Sequence, residues 1–225
     1  MNTRPNTIRY SIDKLELSYR FSENNHIPVQ IISDLLKQLH LRDDVTVEKI
    51  KSGSHRVGSS FNSCTIAMKQ YPYETIYVET GTAINKHGRF PYAKFSFNHD
   101  RIFRYEDVTD FFLSVMLDIL PGGGYQELID EGNILYAEFA IDLNFIRMHE
   151  VDIFSPSMDR GDVYFIGAGG NLETVSISDS KEKPRRSSFT AYDKKKQLRA
   201  NKAYITRGAL VRIEAKRRFQ LLKGA

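Results

Sequence analysis

Two acidic side chains share one face of the most strand-like segment in the chain, Ile134–Ile146. Residues alternate there between a wholly apolar face and a face that carries Glu138, Ala140 and Asp142. Carboxylates on a rigid strand offer the oxygen ligands that Mg²⁺ and Mn²⁺ prefer, and the small side chain of Ala140 leaves room beside them. Glu138 and Asp142 are therefore candidate metal ligands, and the alternative is that both acids point into water.

A tyrosine and a lysine stand close together at the end of a second alternating segment, SSFTAYDKKKQL, which precedes a third, ALVRIEAKRRF. If these segments pair as antiparallel neighbours, one sheet face carries Tyr192, Lys194, Arg212 and Glu214. A tyrosine can act as a covalent nucleophile on phosphorus when its proton is removed or its oxyanion is stabilised, and Lys194 is a suitable cation. The alternative is an ordinary amphipathic strand residue, since the chain contains 12 tyrosines.

The charge of the chain is strongly asymmetric, although its net value is only +4. Residues 181–225 carry 15 lysines and arginines against three acids, an excess of +12, which leaves −8 on residues 1–180. A concentrated basic segment predicts a surface for a polyanion such as DNA, whereas the alternative is a solvated basic tail. The candidate phosphate contacts are Lys181, Lys183, Arg185, Arg186, Lys195, Lys196 and Arg212, with Arg56 in the polar loop 52–63 as a further one.

Several classes of protein find no support in the sequence. The single cysteine, Cys64, excludes an internal disulfide, and no Cys/His cluster has the spacing of a zinc site. No apolar run approaches the roughly 20 residues needed to cross a bilayer, and the N-terminus has no apolar signal segment. Walker A, nucleophile-elbow and dinucleotide-binding motifs are also missing. We therefore expect a cytoplasmic protein with no membrane partner.

Strand and helix patterns follow each other in the order β-α-β-β-β-α-β, with further strands towards the end. The predicted helices cover Val29–Leu41 and Tyr105–Leu120, with another turn at Tyr125–Glu131. The predicted strands are Ile8–Phe21, a meander within 45–100, and segments at 134–146, 161–170, 185–194 and 209–219, whereas NLETVSISDS (171–180) has no decisive pattern. This order predicts an α+β fold with a mostly antiparallel central sheet and helices packed on one face. We expect one domain over residues 1–225, with two βαβ-like halves, 1–104 and 105–225, as one way to build it.

Three of these segments carry motifs that resemble a known family. The strand EFAIDLN, the motif YDKKKQ and the strand VRIEAKRR resemble the rolling-circle replication initiators, among them the replication initiation factor family of plasmid Rep proteins and the filamentous-phage gene II replication proteins. Such proteins show an acidic strand, a glycine turn (here GAGG, 167–170), a YDK strand and an R-x-E strand in that order. The chain departs from the pattern where it lacks an arginine before Glu138 and has Gln197 in place of a glutamate after YDK.

This resemblance implies an enzyme that nicks DNA and transfers the strand to initiate rolling-circle replication at a plasmid or phage origin. It implies the HUH-type Rep nuclease fold, Tyr192 as the nucleophile and Lys194 as the cation beside it. It also implies Mg²⁺ or Mn²⁺ bound by Glu138, Asp142 and Glu214. The implied partners are origin DNA, both duplex and single-stranded, a second copy of the chain in a homodimer, and a host helicase and polymerase.

Some of these expectations have competitors. Related endonucleases bind their metal with a His-x-His pair, which this sequence lacks, so His99 in FSFNHDR is the candidate histidine. Because related nucleases often carry the tyrosine on a helix, Tyr204 competes with Tyr192. A non-catalytic DNA-binding replication or regulatory protein of the same fold is the alternative function. A protein-interaction domain whose basic end meets an acidic partner is a third interpretation.

Overall fold

A computed structural model describes residues 8–21, 28–55, 57–85, 88–120, 122–151, 162–166, 174–178, 187–195 and 209–219. The chain divides into two compact units. The first, here called the helix-bearing unit, comprises Asp13–Tyr136 and Gln220–Ala225. The second, here called the C-terminal unit, comprises Met1–Ile12 and Ala137–Phe219.

The helix-bearing unit is an antiparallel sheet in the order β2-β3-β4-β5-β1. Its strands are β1 (Ile8–Arg20, counted from Asp13 in this unit), β2 (Val45–Gly53), β3 (Ser60–Met68), β4 (Ile76–Asn85) and β5 (Gly88–Phe97). Its helices are α1 (Pro28–His40), α2 (His99–Ile102), α3 (Glu106–Ile119) and α4 (Gly124–Glu131). None of the helices in the described part of the chain is long and apolar enough to span a membrane.

One face of this sheet is apolar and is covered by helices. In β1, for example, Leu15, Leu17 and Tyr19 are buried, because alternate residues of a strand point to the same side. Helix α1 contacts strands β2 to β5, and the ring of Phe112 in α3 lies 4.7 Å from that of Phe97 in β5, centroid to centroid. The opposite face carries polar and aromatic side chains.

The C-terminal unit contains strands in the order β1-β6-β10-β9-β8-β7, to which β1 contributes residues 8–12. Its other strands are β6 (Asn133–Asn144, from Ala137 in this unit), β7 (Asp162–Ile166), β8 (Thr174–Ser178), β9 (Ser187–Asp193) and β10 (Leu210–Arg218). Strands β7 to β10 pair in antiparallel fashion. A short 3₁₀ turn, Met148–Glu150, packs on a small core formed by Met148, Val175, Ile177, Ala191 and Val211.

The predicted α+β class with mostly antiparallel pairing is confirmed. The strands predicted at 134–146, 185–194 and 209–219 correspond to β6, β9 and β10, although β6 ends at Asn144, β9 at Asp193 and β10 at Arg218. The undecided segment NLETVSISDS contains β8, a strand of only five residues. The HUH-type fold and the division into halves at residue 104 stay predictions.

Candidate active site around Tyr192

The register between β9 and β10 determines which side chains meet on the polar face of the C-terminal unit. Tyr192 pairs directly with Arg212, and Thr190 with Glu214. Residues opposite each other in antiparallel strands point to the same side of the sheet. Because Ala191 and Val211 are buried in the apolar core, their neighbours Tyr192 and Arg212 lie on the other side, as does Glu214.

The hydroxyl of Tyr192 is engaged by a carboxylate and by an ammonium group. It donates a hydrogen bond of 2.5 Å to Oε1 of Glu214, whose residue is only 8% exposed. Nζ of Lys194 donates to the same phenolic oxygen at 3.3 Å and lies 5.5 Å from the centroid of the ring. A proton acceptor and a cation therefore stand at the oxygen that would have to become a nucleophile.

Lys216 links Glu214 to the acidic strand β6. Its Nζ lies 3.0 Å from Oε2 of Glu214 and 3.2 Å from Oε1 of Glu138. Carboxylate oxygens of these two glutamates approach within 4.8 Å of each other. The two acids thus share one face and one counter-ion.

Both members of the Glu214–Lys216 pair favour their charged forms. Burial alone would raise the pKa of Glu214, but hydrogen bonds from Tyr192 and Lys216, together with the charges of Lys216 and Arg212, hold it below its ordinary value. Burial alone would lower the pKa of Lys216, but Glu214 and Glu138 hold it above its ordinary value. The proton acceptor beside Tyr192 is therefore an ionised carboxylate at neutral pH.

Asp142 and Arg212 form a bidentate ion pair across β6 and β10. Nε of Arg212 lies 2.6 Å from Oδ1 of Asp142, and Nη2 lies 2.6 Å from Oδ2. Both side chains are about six-sevenths buried, at 14% and 15% exposure. Such a fork-to-fork contact fixes the guanidinium plane. The predicted metal ligand Asp142 thus has both oxygens engaged by the predicted DNA contact Arg212.

The structure brings four of the predicted site residues into one connected set: Glu138, Tyr192, Lys194 and Glu214. Lys195 is half-buried directly after Lys194. His99 lies in the helix-bearing unit, where its ring packs on Phe103 and its Nδ1 is 3.8 Å from Oδ1 of Asp100. Several predicted residues lie outside the described part of the chain: Arg56, Lys181, Lys183, Arg185, Arg186, Lys196 and Tyr204, together with the glycine turn 167–170.

Sequence reasoning missed Lys216 and a row of hydroxyl groups beside Tyr192. Lys216 stands two residues after Glu214 and therefore on the same strand face, so the alternation of VRIEAKRR was sufficient to find it. The hydroxyls of Ser176 and Thr190 are 3.2 Å apart on β8 and β9. Their alignment depends on the pairing of β8, which no local pattern indicated.

Comparison of the chain with known protein families and with curated proteins gives no significant match. The site is therefore interpreted from its own geometry, and membership of the replication initiators stays a prediction.

Proposed function

We propose that the protein is a DNA nicking and strand-transfer enzyme that initiates rolling-circle replication, with Tyr192 as its nucleophile. The observation that carries this proposal is the contact of one phenolic oxygen with both the ionised, buried Glu214 and the ammonium of Lys194. A tyrosine used only for packing has no need of a cation at its oxygen. Charge at that oxygen is what a phosphoryl-transfer step creates.

In the proposed step, the oxygen of Tyr192 attacks the phosphorus of a phosphodiester while its proton passes to Glu214. A bond forms between the phenolic oxygen and phosphorus, and the bond from phosphorus to the 3′ oxygen breaks. The 3′ oxygen leaves with the electron pair and takes a proton from water. The products are a 5′-phosphotyrosine and a free 3′ hydroxyl. Attack by a 3′ hydroxyl on the phosphotyrosine reverses the step and joins the strand.

Lys194 contributes to this step by stabilising negative charge on the attacking oxygen. Its ammonium already donates to that oxygen at 3.3 Å. A fixed positive charge in a partly buried site acts more strongly than one in water. We assign Lys194 this electrostatic role and assign Glu214 the role of general base.

The donor set of Glu138 and Glu214 fits Mg²⁺ or Mn²⁺, because both ions prefer carboxylate oxygens and the two carboxylates lie close together. Lys216 forms ion pairs with both carboxylates, so a bound metal ion would have to displace its ammonium group. A bound ion would polarise the scissile phosphate. We leave Asp142 out of this ligand set because Arg212 engages both of its oxygens.

Arg212 is proposed to bind a phosphate next to the scissile bond, with Asp142 as its positioning residue. The bidentate contact with Asp142 fixes the plane of the guanidinium, and a planar guanidinium in a fixed orientation matches the oxygens of a phosphate. The remaining basic residues of 181–225 are proposed to bind the DNA backbone without reading its sequence.

The test is formation of a covalent protein–DNA adduct. A pool of single-stranded DNA of randomised sequence is incubated with the full chain and Mn²⁺ or Mg²⁺, and a denaturing gel detects protein that stays attached. The wild type should form an adduct and Tyr192→Phe should not. The matched control is Tyr10→Phe, since Tyr10 is 70% exposed in the same unit. No adduct with the wild type under any metal condition would refute the enzyme proposal.

A non-catalytic DNA-binding protein is the second candidate, and one observation favours it. Lys216 already forms ion pairs with both glutamates, so the pair has a cationic partner from the protein itself. This candidate expects salt-dependent binding of DNA in a mobility-shift experiment together with no covalent adduct. An adduct that is lost in Tyr192→Phe would exclude it.

A further inference from the structure

The polar face of the helix-bearing unit is organised around a buried carboxylate, Glu79 in β4. Only 5% of this residue is exposed. Its Oε2 accepts a hydrogen bond of 2.6 Å from the hydroxyl of Tyr77, and its Oε1 accepts one of 2.7 Å from Tyr92 and contacts Nε2 of His55 at 3.1 Å. Burial alone would raise the pKa of Glu79, but these hydrogen bonds hold it below its ordinary value.

The consequence of this cluster is that two tyrosine rings are held in defined orientations. Burying a carboxylate is unfavourable unless donors compensate for the lost water, and here the donors are the hydroxyls of Tyr77 and Tyr92 together with His55. The hydrogen bond from each hydroxyl group to Glu79 fixes the outer end of the tyrosine side chain, so the ring cannot rotate away from the sheet. The rings themselves remain partly exposed.

Strand register places cations on the same face as these rings. Lys94 is the direct neighbour of Glu79 on one side and of Ser18 on the other, while Arg20 pairs with Tyr92. Residues opposite each other in antiparallel strands share a face. These residues therefore lie on the sheet face opposite the helices. The helices pack on the other, apolar face, which is formed by the alternate residues, such as the buried Ala93.

Cations stand over aromatic rings at two points of this face. Nζ of Lys94 lies 5.9 Å from the ring centroid of Tyr77, and Cζ of Arg20 lies 4.6 Å from that of Phe90. The nearby carboxylate of Glu16 is already neutralised by Lys14 at 2.8 Å and Lys94 at 3.5 Å. The side chains of both acids are more buried, at 16% exposure for Glu16 and 6% for Glu79, than those of Lys14 at 45% and Lys94 at 28%.

A flat ring already stacks on an aromatic side chain beside this surface. The imidazole of His55 lies 4.3 Å from the ring of Phe61, and the two planes differ by only 13°. Among the aromatic pairs in the described residues, this is the most nearly parallel one. Face-to-face contact between planar rings is thus present next to the Glu79 cluster, to which His55 belongs.

We propose that this surface, formed by Tyr77, Phe90, Tyr92, Arg20 and Lys94 and here called the tyrosine platform, binds single-stranded nucleic acid. An unpaired base stacks on the ring of Tyr92, and neighbouring bases replace the cations over Tyr77 and Phe90. The two displaced cations then contact the phosphates between the bases. A duplex fits this chemistry poorly because its bases are already stacked on each other and cannot offer their faces. The proposal concerns binding only and does not depend on Tyr192 or on any nicking activity.

The test uses the full chain carrying Tyr192→Phe, with a metal chelator present, so that nicking plays no part in the result. Fluorescence anisotropy measures Kd for a labelled 20-nucleotide oligothymidine, for oligouridine and for a duplex of equal length. Tyr92→Leu removes the ring and should weaken oligothymidine binding about tenfold, the loss expected for one stacked base. Tyr92→Phe keeps the ring and should change Kd less than about threefold.

Lys94→Gln is the second variant. It tests the proposal if circular dichroism shows that Tyr92→Leu does not fold. It should reduce the slope of log Kd against log salt by about 0.7, the loss expected for one phosphate contact on a single strand. The matched control is Tyr73→Leu, since Tyr73 is 78% exposed in the turn before β4. Duplex affinity should not respond to Tyr92→Leu.

Binding of either single-stranded polymer with this variant pattern supports the platform. The proposal is overturned if a folded Tyr92→Leu binds oligothymidine as tightly as its parent, or if Lys94→Gln leaves the salt dependence unchanged. It is also overturned if Tyr92→Leu weakens duplex and single strand equally. A failed adduct experiment alongside a positive platform result would refute the nicking proposal alone.

Discussion

The two units each bury a glutamate on a polar sheet face, and each glutamate accepts a tyrosine hydroxyl. Glu214 accepts from Tyr192 at 2.5 Å, and Glu79 accepts from Tyr77 at 2.6 Å and from Tyr92 at 2.7 Å. The surroundings differ. An ammonium group donates to the oxygen of Tyr192, whereas the partners of Glu79 among the described residues are two neutral hydroxyl groups and the imidazole of His55.

This difference underlies the two proposals, in which Tyr192 is a nucleophile and the rings of Tyr77 and Tyr92 are binding surfaces. Burial and the negative charge of Glu79 raise the pKa of Tyr77 to about 12 and raise that of Tyr92 further. These phenols therefore stay protonated, and the aromatic ring is the part of each side chain that would contact a ligand. A carboxylate beside a phenol promotes attack only if something stabilises the phenolate, and in the proposed function Lys194 is the group with that role.

The largest effect should come from removing the proton acceptor. Glu214→Gln is expected to lower the rate of covalent adduct formation by about 10²- to 10⁴-fold, the usual contribution of a general base. A single-turnover time course on a denaturing gel measures it. The matched control is Glu150→Gln, since Glu150 accepts a hydrogen bond from the backbone of Arg147 in the same unit and should leave the rate unchanged. A normal rate in Glu214→Gln would remove Glu214 from the mechanism.

Replacing Glu79, the buried glutamate of the helix-bearing unit, should lower the stability of the protein. Glu79→Gln puts an amide with one acceptor oxygen where three donors converge, and we expect the free energy of unfolding to fall by about 2–4 kcal/mol. Urea denaturation of the full chain measures the change. Glu48→Gln is the control, because Glu48 is exposed on β2, and its effect should stay within about 0.5 kcal/mol. Equal effects of the two substitutions would mean that the Glu79 cluster contributes no net stability.

The same carboxylate should leave a signature in the pH dependence of stability. The folded-state pKa of Glu79 lies below its ordinary value of 4.5. Its stabilising contribution is therefore fully present above pH 4.5 and is lost as the pH falls through the folded-state pKa, because the unfolded chain takes up the proton first. The difference in unfolding free energy between wild type and Glu79→Gln should shrink as the pH drops below about 4.5. A difference that stays constant down to pH 3 would contradict an ionised Glu79.

Much of the candidate site, but little of the platform, follows from sequence. Period-two alternation predicts β6, β9 and β10 as strands, and Tyr192 and Glu214 lie on the same side because β9 and β10 also pair in antiparallel register. Alternation cannot select partners between strands. The contact of Asp142 with Arg212 joins residues 70 positions apart. The sequence around Asp142 therefore does not distinguish a carboxylate that binds a metal ion from one that pairs with an arginine.

The Glu79 cluster shows the same limit more strongly. Its donors come from β4, from β5 and from the turn between β2 and β3, and they converge only because three strand registers are satisfied together. A glutamate in ETIYVETG has no local signal of burial. Long-range register, unlike the face of a strand, is determined by the complete sheet.

The smallest predicted effect concerns the cation between Glu138 and Glu214. If these carboxylates bind Mn²⁺, the ion must compete with Lys216, whose Nζ lies 3.2 Å and 3.0 Å from them. Adding Mn²⁺ at about ten times its Kd should raise the free energy of unfolding by about 1.4 kcal/mol, measured as an increase in Tm. Lys216→Met removes the competing charge, so its Tm should respond at lower Mn²⁺ concentrations than that of the wild type. Glu138→Gln removes a ligand and should abolish the response, whereas Glu150→Gln should retain it. If Glu138→Gln responds to Mn²⁺ as the wild type does, the ion binds elsewhere, and Lys216 is then the permanent counter-ion of the pair.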